Sequence, residues 1–186
     1  MNLRLLPCVS ACVLVPAIAP PAEGRGITPY CFGDGTGTAC PCGNFSAAGL
    51  QQGCMNSFGQ GSHLGGAGSV SVAADTLTLS ADHLPTTTTI IFIQGLQSQQ
   101  SGAGVVVGDG LLCVGSSLIR MGVRTASGGS CSFGFGVAGD PLVSVAGGLP
   151  AAGGRRFYQG WYRNNASFCM SEAFNFTSAL DVRWTP

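Results

Sequence analysis

Apolar and small polar residues alternate in short runs along most of this chain, and a period of two predicts strands with one buried face. Residues 69–73 read SVSVA and residues 76–80 read TLTLS, two strands or one long bent strand across Ala74 and Asp75. Residues 86–94, TTTTIIFIQ, form a β-branched run that favours extended backbone. Further strands are expected at 105–107 (VVV), 111–120, 131–135 (CSFGF), 141–146 (PLVSVA), 155–163 (RRFYQGWYR), 174–177 and 180–184 (LDVRW). Turn residues separate them, such as the GDG at 108–110, and no segment carries a sustained 3.6-residue apolar period with caps. The pattern therefore predicts an all-β fold: an antiparallel β-sandwich, jelly-roll or immunoglobulin-like, of about eight or nine strands.

Residues 30–57 break this pattern by packing four cysteines and six glycines into one run. Cysteines at that density hold loops that bury little apolar surface, and they need an oxidising compartment. The expected division is a signal peptide at 1–22, a flexible lead-in at 23–29, a disulfide-stapled loop region at 30–66 and the sandwich at 67–186. The last two form one domain. The signal reading rests on Arg4 followed by the apolar stretch LLPCVSACVLVPAIA at 5–19, which is too short to span a bilayer. Val9, Ser10, Ala11 and Cys12 also resemble a lipidation box, but too little apolar chain precedes Cys12 to support one. The expected location is outside the cell or on its surface, with no membrane segment in the mature form.

Seven cysteines follow the leader: Cys31, Cys40, Cys42, Cys54, Cys113, Cys131 and Cys169. An odd number leaves one thiol over. Cys40 and Cys42 flank a single proline, so their side chains should diverge and each should pair elsewhere. The preferred pairing is Cys31 with Cys40, Cys42 with Cys54, and Cys113 with Cys169. A zinc site is the competing reading, but the spacing lacks the C-x2-C knuckles of such sites.

Charge and composition narrow the partners. The chain of 186 residues has thirty glycines, only 9% charged residues, eight arginines against eight acids and no lysine. With no basic excess, neither nucleic acid nor an anionic membrane is favoured. His63 and His83 sit in loop-like contexts, and no G-x-S-x-G elbow or HExxH motif occurs, so no enzyme is expected. Asp34, in DGTGT, and Asp109, in GDG, are the weak calcium candidates, against ordinary turn capping. No other cofactor is implied. The aromatic run at 155–163 has two uses, a sandwich core or a platform for sugar rings. Alternation puts Phe157, Gln159 and Trp161 on one face and Tyr158 and Tyr162 on the other, with Gly160 a candidate bulge. Tyr158, Trp161 and Tyr162 are the candidate glycan contacts.

The stretches YCFGDGTGTACPCGN, GCMNS, GVVVGDGLLCVGSSLIRMG, GDPLVSV, RRFYQGWYRNNASFC and FNFTSALDVRWTP resemble a cysteine-containing domain of unknown function. That domain recurs in secreted proteins of planctomycete-type bacteria, often at the C-terminal end of larger extracellular chains. The resemblance covers residues 30–186 and brings no established activity. It implies an exported module in which Cys31, Cys40, Cys42, Cys54, Cys113 and Cys169 match the family's positions, while Cys131 does not. The expected role is a non-catalytic module for extracellular attachment or structural assembly. Carbohydrate binding through the aromatic platform is the alternative, and a hydrolase stands third. Polysaccharide or cell-surface components are the candidate partners, and the sequence gives no oligomeric state.

Overall fold

The computed structural model describes residues 26–165 and 168–186. The signal-peptide reading, the lipidation box at Cys12 and the first part of the expected lead-in lie outside the described residues. The strands are β1 (Ile27–Tyr30), β2 (His63–Ala67), β3 (Thr78–Asp82), β4 (Thr89–Gly95), β5 (Gln97–Ser98) and β6 (Val105–Val107). They continue as β7 (Gly110–Leu112), β8 (Val114–Gly115), β9 (Ile119–Thr125), β10 (Cys131–Gly134), β11 (Gly154–Arg163) and β12 (Phe174–Trp184). One short helix, α1, spans Val143–Ala146.

Two antiparallel sheets pack face to face: a large one in the order β1-β12-β11-β4-β9 and a small one in the order β10-β3-β2. Eight strands thus make the sandwich, as expected. Two short ladders, β5-β8 and β6-β7, lie outside it. Between the sheets the alternating apolar positions meet: Leu64, Leu79 and Phe133 from the small sheet, Ile90, Phe92, Tyr158, Tyr162, Leu180 and Val182 from the large one. Phe92 stacks on Phe133 with ring centroids 5.6 Å apart, tying β4 to β10. Burying one such side chain contributes about 1.5–3 kcal/mol.

Three strand expectations are corrected. PLVSVA forms no strand. It holds one helical turn, because the buried Asp75 carboxylate accepts the otherwise unmet N–H of Ser144 at 2.8 Å, and Val143 is buried in the core with Ala146 packed against it. Residues 72–74 of the SVSVA region form a 3-10 turn, and the second of the two runs is the strand, shifted to Thr78–Asp82. Residues 27–29 are no loose lead-in, since β1 pairs with β12 as an edge of the large sheet, Ile27 opposite Val182 and Tyr30 opposite Ala179. The expected stapled region also contributes β2 to the small sheet.

The disulfide pairing differs from the expected one at every bond. The bonds are Cys31–Cys113, Cys40–Cys54 and Cys42–Cys169, and Cys131 is unpaired. Cys40 and Cys42 do diverge, as their spacing requires. The expected pairing treated residues 30–57 as a knot closed on itself, with Cys113 joined to Cys169. Instead β1 delivers Cys31 to the outer face of the large sheet, where Cys113 lies buried, and two of the three bonds fasten the knot to the rest of the chain. Glycines allow the close approach inside it: a Cβ at Gly33 would run into the backbone of Cys54.

Candidate functional site

The outer face of the large sheet, turned away from the small one, is divided. One half is covered. Gln159, fully buried on β11, donates from Nε2 to Leu111 O at 2.9 Å and Thr177 O at 2.8 Å, while its Oε1 accepts Cys113 N–H at 2.9 Å. Beside it the Tyr30 hydroxyl donates to Cys113 O at 3.0 Å and the Tyr30 ring meets Phe157 edge-on at 5.7 Å. Leu111, Cys113 and the Cys31–Cys113 bond thus form a third layer over this part of the sheet.

The other half is open. Trp161 lies opposite Ile91 on β4 and Phe176 on β12, and Ile91 lies opposite Val123 on β9. Trp161, Ile91 and Phe176, together with Ile93, Phe174, Leu112 and Leu118, line a groove of about 800 Å³. The Trp161 ring packs against Phe174 at 5.4 Å, and Phe174 meets Phe176 edge-on at 5.8 Å. At one end the Arg163 guanidinium lies over the indole, 5.0 Å from its centroid. At the other end stands Arg120, paired with Ile93 across the β4–β9 ladder. Neither guanidinium has an ion pair or hydrogen bond among the described residues, whereas Arg124 is paired with Asp140 and Arg155 with Asp181. Among the described residues the groove lining contains no carboxylate, imidazole or thiol. A smaller groove of about 470 Å³, bordered by Gly26, Gly68, Val70 and Arg183, has no aromatic lining.

The β6–β7 hairpin forms one wall of the open half through Val107 and Leu112. Its turn needs glycine at 108, where φ is 57° and a Cβ would meet the Phe174 ring at 2.5 Å. Asp109, in the same turn, is fully buried. Its Oδ2 accepts Asn164 Nδ2 at 2.6 Å and its Oδ1 accepts Met170 N–H at 2.7 Å, which fixes the loop carrying Cys169.

These contacts correct the calcium reading. Both Asp109 oxygens face N–H donors, the opposite of what a cation site presents. Asp34 is a turn cap whose Oδ1 accepts the Thr36 backbone N–H at 3.1 Å and its hydroxyl at 2.6 Å, which holds its carboxyl below the usual range. Among the described residues, no three His, Cys, Asp or Glu side chains gather as a metal site.

The aromatic platform is corrected as well. Alternation separated the faces properly, but Tyr158 and Tyr162 face inward and are fully buried in the sandwich core. Burial pushes both phenols up, and Tyr158 accepts Trp184 Nε1 at 2.9 Å. Trp161, half-buried, alone of the three reaches the groove. The sheet register shifts between Gln159 and Trp161, at the position of the expected bulge. Sequence reasoning missed Arg120 and Arg163, although both lie in strands it recognised, and missed the partner aromatics Phe174 and Phe176, whose i, i+2 spacing was the available signal.

No protein-family model matches the chain, and no curated protein or solved structure is significantly similar to it. No helix among the described residues is long and apolar enough to cross a membrane. Three disulfides fit an extracellular or otherwise oxidising environment.

Proposed function

We propose that this is an exported, non-catalytic attachment module that holds an extracellular partner in the groove over Trp161. The observation that carries this reading is the unequal treatment of one sheet face: half is cross-linked under a third layer, and half is left open with two guanidiniums that have no ionic partner among the described residues. An apolar groove with a few polar groups at its margins is the usual form of a binding site. Among the described residues its lining offers arginine and threonine but no group able to exchange a proton near neutral pH, which favours holding a ligand over transforming one. Export rests on the disulfides together with the apolar, Arg-led leader.

The test is binding of the purified protein to immobilised extracellular polymers and cell-surface proteins, with Trp161→Ala measured alongside. Binding at least about tenfold weaker in the variant is expected, equivalent to about 1.4 kcal/mol. Undiminished binding by a folded variant would move the site elsewhere.

A glycan reading is favoured by one observation, the half-exposed Trp161 ring. It ranks second because Ile91, Ile93 and Phe176 offer sugar hydroxyls no hydrogen-bond partners, and hydroxyls desolvated without partners are costly. Binding of neutral oligosaccharides that survives high salt and is lost in Trp161→Ala would reverse this ranking.

A further inference from the structure

Resting on that reading of the groove, we infer that its occupant is an extended peptide segment of a partner protein in which two acidic residues flank apolar ones. Among the described residues, Arg120 and Arg163 are the only charged side chains of the lining, both are positive, and neither is paired. A guanidinium keeps its charge at any accessible pH and presents a donor fork that matches a carboxylate. The chain's net charge is zero, so this pair is a local feature and no part of a general basic surface.

Position is the second element. Tyr162 pairs with Ile90, which sets Arg163 level with Thr89, while Arg120 pairs with Ile93 two strands away. Four residues along a strand and two strand spacings across put their Cα atoms roughly 16 Å apart. The positive charges therefore mark two corners of the groove. Between them lies a floor of Ile91, Ile93 and Trp161, continued by Phe176 on β12 beyond Trp161.

An occupant must match charge at both ends and apolar surface between them. An extended peptide does so with acidic residues at the ends and apolar side chains in the middle, rising ~3.3 Å per residue. An acidic polysaccharide satisfies the arginines but lays hydroxyls on aliphatic carbon. A second copy of this chain brings the same two positive corners and meets like charge with like.

The experiment uses an array of capped peptides in which two aspartates are separated by a variable number of apolar residues. Copies with one or both aspartates replaced by asparagine are included, as are oligogalacturonate and a neutral cello-oligosaccharide. Binding is read for the parent protein, Arg120→Gln, Arg163→Gln and Trp161→Ala. Expected is preference for two-aspartate peptides of one spacing, about tenfold weaker binding for each arginine removed and strong weakening at 1 M salt, where the Debye length falls to about 3 Å. Peptide binding that is indifferent to the aspartates, or equal for one and two, overturns the inference while leaving the groove as the site. Preference for oligogalacturonate or the neutral sugar overturns the peptide occupant. Binding by none of the probes, or binding unchanged in Trp161→Ala, overturns the groove reading itself.

Discussion

Gln159 and Trp161 stand two residues apart on one face of one strand, and they live in different environments. Gln159 is fully buried and spends its amide on two hydrogen bonds to the layer above it, Leu111 O and Cys113 N–H, and one to Thr177 O of the neighbouring strand β12. Trp161 has no layer above it, only an arginine laid across one side and a phenylalanine beside it. A covering layer held by the Cys31–Cys113 bond ends between the two. The difference teaches that the cysteine-rich segment does more than staple itself: where it stops defines the groove. The β6–β7 hairpin, held by Asp109 and Asn44, forms the wall at that boundary, with Asn44 Nδ2 donating to Asp109 O at 2.9 Å.

The most severe way to break this comparison is to release the cover. Replacing Cys31 and Cys113 together by serine should cost about 4 kcal/mol in the chain-entropy argument, read as a lower urea midpoint. A loss below about 1 kcal/mol would mean that the bond does not hold the layer. Next in size, Gln159→Leu leaves Leu111 O, Thr177 O and Cys113 N–H without their partner. It should cost about 2–3 kcal/mol in the same assay.

Trp161→Ala sharpens the comparison from the other side. Its ring is half-buried, so a stability loss of about 1 kcal/mol is expected, well below that of Gln159→Leu, with the binding loss as the main effect. Equal destabilisation by the two substitutions would erase the distinction between the halves.

How much of this was legible in the sequence follows from the range over which each feature is decided. Alternation over a few residues located β4, β10 and β11, and separated Tyr158 and Tyr162 from Trp161. It could not say which face turned inward, because that depends on where the small sheet packs. The PLVSVA run misled because four alternating residues are as compatible with one helical turn as with a strand, and the deciding contact, Asp75 to Ser144, spans the sequence. The disulfides were illegible for the same reason. Cys31–Cys113 and Cys42–Cys169 close 82 and 127 residues, and nothing local distinguishes them from bonds within the knot. Arginines at 120 and 163 stood in predicted strands, but their lack of an ionic partner among the described residues appears only when Asp140 and Asp181 are seen committed elsewhere.

The smallest expected effect is a control outside both halves. Cys131, on β10, is partly buried, and burial pushes its thiol up to about 11 from 9. Its contribution to stability is fully present below pH 9 and is lost as pH rises through about 11, because only the unfolded chain ionises in that window. Cys131→Ala should flatten that part of the stability profile and leave the groove's binding unchanged. Urea unfolding across the alkaline range checks the first, and the peptide array the second.

The central claim, an open groove with positive corners around Trp161, is tested most directly by ionic quenching of tryptophan fluorescence in the free protein. Trp184, the other tryptophan, is buried in the core, so the emission that a solute can reach is that of Trp161. The account predicts quenching by iodide well above that by caesium, with the difference removed in the Arg120→Gln, Arg163→Gln double variant. Equal quenching by the two ions, or none by either, would contradict it.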